Sequence, residues 1–478
     1  MRYLALACDY DGTLACDGQV STDTLAALRR LLATGRKLIL VSGRQLEDLF
    51  SVFPSCNLFE WLVAENGAVL YHSSTREKKR LANPPPPKLI ARLGERGVPL
   101  SIGDSIVSTH QPHQITVEHA IRELGLELKV IFNKGAVMVL PSGTSKATGL
   151  AAALKEMRLS PHNVVAIGDA ENDEALLGLC ECSVAVANAL PMLQVEADFV
   201  TASANGQGVA ELINEIIASD LRDRDTTLTR HHLLLGTAAY NRQIRISPFA
   251  SNILLAGSSD NERRKVVTAF VEILCKQQYQ FCLLDPRGVF EEVLDAVALG
   301  RRKRAPTVDE IIRLLKDPLE NAIVNLSGVS MRQRNSFVQE LFARLQQLRA
   351  RTGHPHWIVV DEAQDVLSRS WQPAPLDIPQ QFEGMMCVTG NPGAVARSIW
   401  SRVNSVLALD SSGAAAFGRL PELSQDGMLE IPAIPPNTGE AIFWSRDAGA
   451  PLRIKLGSGK TPDHSSALST ATVPQRVN

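Results

Sequence analysis

The sequence predicts an α/β protein built from two consecutive parallel sheets, each flanked by helices. Three observations carry that prediction. Up to about residue 220, short apolar runs alternate with amphipathic helical patterns, the signature of strands joined by crossover helices. Residues 218–232, ASDLRDRDTTLTRHH, then turn polar and charged, as a linker does. A second alternation follows and continues to about residue 456. With 478 residues, the chain also exceeds what one hydrophobic core ordinarily serves.

In the first half, YLALACD (3–9) is the opening strand and TDTLAALRRLLATG (22–35) a helix closed by Gly35. KLILVSG (37–43) is the second strand, and WLVAENGAVLY (61–71) a strand with a hairpin turning at Asn66-Gly67. GTSKATGLAAALKEM (143–157) opens a helix at Ser145, and NVVAIGD (163–169) is a strand ending in another acid. NDEALLGLC (172–180) is the helix after it, with CSVAVAN (182–188) and ADFVT (197–201) as further short strands. Open parallel sheets bind ligands beyond the carboxyl ends of their strands. Asp9, Asp11, Ser42 and Asp169 all fall at such ends, so the four side chains are expected to converge.

Each residue type there fits one chemistry. In CDYDGTLACDG (8–18) two carboxylates stand two positions apart behind an apolar run. Charge in such a place is costly unless a cation compensates it. Asp9, Asp11 and Asp169 offer hard oxygens, which suit Mg²⁺. One aspartate can then attack a phosphoryl group, and Asp11 can protonate the leaving oxygen and afterwards activate water. Ser42 supplies a hydroxyl and Lys146 a cation for phosphoryl oxygens whose charge rises in the transition state. The helix starting near Ser145 adds its dipole in the same sense. Asn172 and Asp173 stand close enough to Asp169 to orient metal and water.

DYDGT, VSGR, the lysine of GTSKATGL and GDAENDEAL resemble, in this order, the four motifs of the haloacid dehalogenase superfamily. AENGA and VAVANALPMLQVEADFVT further resemble its Cof-type (IIB) branch, which includes sugar phosphatases, sucrose-phosphate phosphatase and mannosylglycerate-phosphate phosphatase. The resemblance covers about residues 1–220. It implies a Rossmann-like core in two parts, 1–83 and 143–220, with a small α/β cap at 84–142. Asp9 becomes the nucleophile that forms an aspartyl-phosphate, and Asp11 the general acid and base. Mg²⁺ would be held by Asp9, the Asp11 carbonyl and Asp169. Gly12, Thr13, Gly43, Arg44 and Asn66, with Asn172 and Asp173, are expected around metal and substrate. The substrate would be a small phosphorylated metabolite, most plausibly a sugar phosphate. Within the cap, His110, His113 and Lys134 are the candidate substrate-reading residues.

After the linker at 221–230, SNILLAGSSDNERRKVVTAFVEIL (251–274) reads strand, loop, helix. FCLLDPRG (281–288), AIVNLSGV (322–329), HWIVVDEAQDVL (356–367) and GMMCVTGN (384–391) are strands, and residues 330–353 a long amphipathic helix. This order, over residues 231–456, resembles P-loop ATPases of the HerA, FtsK and conjugative-coupling type, and residues 435–456 resemble their closing hairpin. The phosphate loop itself is broken. In GSSDNERRK (257–265), Asp260 and Glu262 stand where glycines belong, Arg263 where the lysine belongs and Arg264 where the hydroxyl residue belongs. Such a loop needs glycines so that its amides turn inward around phosphate. Despite an intact Asp361-Glu362 pair, the expectation is a P-loop-like domain that does not hydrolyse ATP and serves assembly, including homo-oligomers, or regulation. The opposing reading is a HerA-like nucleotide-dependent motor or nucleic-acid-associated protein with an accessory phosphatase.

Composition excludes other classes. Lys+Arg 49 against Asp+Glu 51 gives a net charge of −2, so no global field marks a nucleic-acid binder. The short basic run GRRKRAP (300–306) reads as a solvated loop. No stretch approaches the ~18 apolar residues of a membrane span. The start lacks a signal-peptide pattern, and eight cysteines in scattered positions, with one C-x-C at Cys180 and Cys182, read as reduced thiols. A cytoplasmic protein is therefore expected. From residue 457 the chain is polar and reads as a disordered tail, whose GSGKT matches a phosphate loop by letters alone.

Overall fold

ALACD, KLILV and VVAIG are apolar on both faces, and each is almost wholly buried. That pattern suits central strands covered by helices on either side. The computed structural model describes residues 1–133, 135–290, 295–368, 383–420, 436–446 and 450–457. These divide into two units. The first holds Met1–His231 with Ile312–Leu319 and Arg344–Pro355; the second holds His232–Ile311, Glu320–Ala343 and the described residues from His356 onward.

The first unit contains β1 (Ala5–Asp9), β2 (Lys37–Val41), β3 (Trp61–Ala64), β4 (Val69–His72), β5 (Glu77–Arg80), β6 (Ser101–Ile102), β7 (Val107–His110), β8 (Leu128–Asn133), β9 (Ala136–Pro141), β10 (Val164–Gly168), β11 (Cys182–Ala185) and β12 (Phe199–Val200). Its main sheet runs β12-β11-β10-β1-β2-β3-β4-β5. The strands from β12 to β3 are parallel, and β4 and β5 add antiparallel. The chain leaves β1 toward β2 on one side and returns to β10 on the other. Strand order therefore reverses beside β1, where α/β sheets place their ligand crevice. The helix Thr22–Ala33 is started by Ser21, whose hydroxyl accepts from the Thr24 amide, and it buries Ala27, Leu28 and Leu31 against the sheet.

Sequence reading finds the turn after β3 but not β5. Glu77–Arg80 is charged and exposed throughout, so it carries no apolar pattern to recognise. The polar stretch expected as a linker is pinned down as well. Asp220 accepts from the Arg2 amide at 2.5 Å and from Arg36 at 2.8 Å, and Arg224 grips Glu215 at 2.5 and 2.7 Å.

The cap is a four-stranded antiparallel sheet, β6-β7-β9-β8, with helices Pro87–Glu95 and Gln114–Glu123. Alternation along β9 decides its two faces. Val137 and Val139 pack with Leu89, Leu93 and Val117, whereas Met138 and Leu140 pack with Ile106 and with Ala68 of the core. Lys134, between β8 and β9 in sequence, lies outside the described residues.

The second unit contains β13 (Leu233–Thr237), β14 (Gln243–Ile246), β15 (Asn252–Ala256), β16 (Phe281–Asp285), β17 (Val297–Leu299), β18 (Ala322–Asn325), β19 (Trp357–Val360), β20 (Met385–Thr389), β21 (Ser405–Ala408), β22 (Glu440–Ser445) and β23 (Leu452–Leu456). They form one sheet, β14-β13-β23-β22-β21-β15-β20-β19-β16-β18-β17. The seven strands from β21 to β17 are parallel, as expected. The other four extend the sheet antiparallel, so this unit is mixed rather than wholly parallel. Sequence reading anticipates the hairpin of β22 and β23 but not β13 and β14; in β14 alternate exposed residues dilute the apolar signal. Among the described residues no helix is long and apolar enough to cross a membrane, and all eight cysteines are free thiols. The expected tail lies outside the described residues, Gly457 excepted.

Candidate active site

The ends of β1 and β10 bring the predicted acids together. Asp9 is the last residue of β1 and Asp169 follows β10; both are buried. A short helical turn, Glu171–Asp173, swings the Asp173 carboxylate back onto the amides of Asp169 and Ala170, both at 3.1 Å. The carboxylates of Asp9, Asp169 and Asp173 lie within 4.8 Å of one another. Thr13 donates to Asp169 at 3.0 Å from the loop after β1, where Gly12 holds a φ of +84°.

Lys146 reaches this cluster from the start of a helix. Ser145 caps the helix Lys146–Met157 through a box with Thr148, so the lysine is its first residue. That helix start sits against the turn after β3. A Cβ on Gly67 would stand 1.9 Å from the Ser145 carbonyl oxygen, so only glycine fits there. The ammonium donates to Asp9 at 2.5 Å and to Asp173 at 2.7 Å and is 2% exposed as a residue. Burial works against the Lys146 charge, but Asp173 and Asp9 outweigh it and hold the ammonium above the ordinary lysine range. Burial, then the charges of Asp173 and Asp169, push the Asp9 carboxyl well above its usual range, with Lys146 opposing them. The site therefore crowds negative charge that one lysine offsets only in part.

The remaining predicted residues form a rim. Ser42 is fully buried after β2, and its hydroxyl accepts from the Arg44 amide at 3.1 Å. Arg44 grips both oxygens of Asp11 at 2.7 Å, which holds that carboxylate toward a cleft of about 470 Å³. Gly43 lines the same cleft, beneath Ile106, Thr109 and Met138 of the cap. Asn66 donates to the Met138 sulfur at 3.1 Å and accepts from Asn172 at 3.0 Å, linking core turn, cap and acid cluster. The Asn172 Oδ1 is buried with no donor among the described residues.

Of the expected cap readers, His110 and His113 meet edge to face with ring centroids 5.6 Å apart and line neither main cavity. Lys129 and Ile131 of β8 face a cavity of about 600 Å³ together with Lys146, Asn66 and Asn172. Sequence reasoning missed them, because only the pairing of β8 with β9 shows which alternate residues share the Met138 face. It missed Glu65 too. That buried carboxylate accepts from the amides of Asp104, Ser105 and Ile106 at 2.8, 2.8 and 3.1 Å, tying the core turn to the cap.

A family model described as haloacid dehalogenase-like hydrolase matches residues 6–118 and 98–213. The phosphoglycolate phosphatase of Methanothermobacter thermautotrophicus is 30% identical over 223 residues, which span 45% of this chain and 98% of that protein. The chain belongs to the haloacid dehalogenase-like hydrolases. Phosphoglycolate phosphatase 2 of Saccharolobus solfataricus is 28% identical over 229 residues, covering 45% of this chain and 94% of that one. A solved haloacid dehalogenase-like hydrolase from Bacteroides thetaiotaomicron is similar at 21% identity and a TM-score of 0.40, over 45% of this chain and 99% of that structure. Membership in the family rests on the first unit, and the enzyme is a phosphatase of the haloacid dehalogenase type.

In the second unit, Arg263 stands in the first turn of the helix Asp260–Lys276, which follows β15. Its guanidinium is buried and donates to the Gly257 carbonyl at 2.6 Å, to Asp260 at 2.5 Å and to Glu362 at 2.8 Å. Arg287, which sequence reading passed over, reaches Asp260 at 2.6 Å and Glu362 at 2.5 Å. The Asx turn after β16 aims it there: Asp285 accepts from the amides of Arg287 and Gly288 at 3.2 and 2.8 Å.

Asp361 gains less from these arginines. Burial, and next the Glu362 charge, push its carboxyl up to about 7. A carboxyl raised on folding binds its proton more tightly in the native state. Its stabilising contribution is therefore complete below about pH 4 and lost as pH rises through 7. The second unit is expected to resist denaturant better at pH 5 than at pH 8, by at most about 3 kcal/mol. Asp361→Asn should flatten that difference. Denaturation followed by the fluorescence of buried Trp357 checks it; an unchanged pH dependence in the variant refutes the assignment.

Proposed function

We propose that the first unit is a Mg²⁺-dependent phosphomonoester phosphatase of the Cof type, acting on a small phosphorylated metabolite through an aspartyl-phosphate. The observation that carries this reading is the convergence of Asp9, Asp169, Asp173 and Lys146 at the ends of β1 and β10, beside a capped cleft. Asp9 attacks phosphorus as the bond to the leaving oxygen breaks, and Asp11 gives that oxygen a proton. Asp11 then takes a proton from water as it attacks the phosphoaspartate, so phosphate departs and the Asp9 carboxylate is restored. The Ser42 hydroxyl and Lys146 supply donors for the phosphoryl oxygens. Arg44 keeps the Asp11 carboxylate at the cleft.

The donor set fits a hard divalent cation: three buried carboxylates in one place and an Asn172 oxygen with no donor among the described residues. Asp9, Asp169 and the Asp11 carbonyl would hold Mg²⁺, which when bound supplies positive charge to the phosphoryl oxygens. The size of the cleft suits a small metabolite. Relatives named phosphoglycolate phosphatase support testing that substrate beside sugar phosphates. Purified full-length protein should release phosphate from members of such a panel only with Mg²⁺. No release at any pH from about 5 to 9 would count against the reading.

For the second unit we favour a P-loop-like domain, of the HerA and FtsK kind, that does not hydrolyse ATP and serves assembly or regulation. In its sheet β20 lies between β15 and β19, so the altered loop, Thr389 and the Asp361-Glu362 pair end side by side. Arg263 is held by the Gly257 carbonyl and by Glu362, which supports a loop that does not cradle phosphate. ATP turnover by the full-length protein that disappears in Glu362→Gln would favour the motor reading instead. The phosphatase reading expects a cytoplasmic protein.

A further inference from the structure

The opposite end of the first unit's sheet carries a second cluster of ligand-type side chains. His162 lies in the turn before β10, Glu181 stands just ahead of β11, and His231 comes from the end of the polar stretch after the helix Asn205–Ser219. Three separate segments thus deliver two imidazoles and a carboxylate, and their ligand atoms lie within 4.8 Å of one another. We propose that His162, Glu181 and His231 form a binding site for a divalent transition-metal ion of the zinc type, separate from the phosphatase centre.

Donor chemistry comes first. Two imidazoles with one carboxylate match Zn²⁺, whose bonds of about 2.0–2.2 Å put tetrahedral neighbours roughly 3.4 Å apart. His162 Nδ1 lies 2.6 Å from Glu181 Oε2, a hydrogen bond that the cation would replace, so binding parts these two atoms by about 0.8 Å and draws in His231. A cation taking Nδ1 of His162 requires only that the ring proton move to Nε2. The orientation of His231 is the second support. Its Nε2 lies 3.2 Å from the Cys180 carbonyl, which can only accept, so the proton is on Nε2 and Nδ1 carries the lone pair. Metal-binding histidines are typically held this way, with the other ring nitrogen donating to a carbonyl.

Charge is the third. Arg2 lies nearer the other oxygen, Oε1, of Glu181 at 3.5 Å and is itself paired with Asp225 at 2.5 Å. Arg230 pairs with Asp198 at 3.3 Å. Two arginines and three carboxylates leave one net negative charge for the cation. His162 and Glu181 are buried while His231 is half-buried, so the remaining coordination position has a route to solvent. A bound ion would tie the segment after the last helix of the unit to the starts of β10 and β11.

The test uses full-length protein carrying Asp169→Asn, which weakens the acidic cluster as a competing site. After chelator treatment it should take up one equivalent of Co²⁺ with the strong visible bands of four-coordinate geometry, and Zn²⁺ should displace it. Zn²⁺ should also raise the melting temperature. His231→Ala, at a half-buried position, and the isosteric Glu181→Gln should each lose the bands and the thermal shift. Folded His231→Ala protein that keeps both would overturn the proposal, as would parent protein that takes up no Co²⁺ or takes it up only in octahedral form.

Discussion

Asp9→Asn is expected to abolish phosphate release while leaving the first unit folded. The amide has nearly the shape of the carboxylate, so the Lys146 contact can survive as a hydrogen bond. What disappears is the negative oxygen that attacks phosphorus, and no neighbour can replace it. Asp169 is engaged by Thr13, and Asp173 by two backbone amides and Lys146. Burial and neighbouring carboxylates already penalise the Asp9 charge, so its removal should cost no stability and can add some. Phosphate release measured against unchanged circular dichroism checks this. Full turnover in the variant would remove Asp9 from the proposed mechanism.

Lys146→Met is expected to damage rate and stability together. One ammonium bridges Asp9 and Asp173, and all three groups are buried. Removing one partner from a buried ion pair typically costs about 3–5 kcal/mol, because the remaining charge is left uncompensated. Loss of a donor for developing phosphoryl charge costs on the order of 10²–10³ in rate. The two effects separate experimentally. Protonating the stranded carboxylates restores stability but not the donor, so the variant should regain stability at acid pH while its activity stays low. A variant with wild-type kcat would show that Lys146 serves the fold alone.

How much of this was legible in sequence depended on what each residue uses to reach its place. Asp9, Ser42 and Asp169 are carried there by apolar strands that end in polar residues, and such runs are readable in one dimension. Lys146 was readable through the capped start of its helix. Glu65 and Arg287 are aimed by turns, where a left-handed φ of +53° in one case and an Asx turn in the other decide direction. The cap residues needed a register: Lys129 and Met138 share a face only because Lys129 pairs with Leu140 and Ile131 with Met138. Asp173 was expected near the metal, but its tie to Lys146 depends on a turn that folds it back across four residues.

The two borders of the first unit's sheet have a bearing on behaviour at high concentration. One border is β5, whose Glu77, Lys78, Lys79 and Arg80 are all exposed; the other is β12, only two residues long. An unpaired border is a template on which a second copy can add its own strand and begin an aggregate. Here a second copy would meet four charged side chains whose lysines are already paired with Asp104 and Glu156, and at β12 it would find too few amides to hold. Crowding should therefore leave this sheet unpropagated, because its borders discourage ribbon formation between molecules.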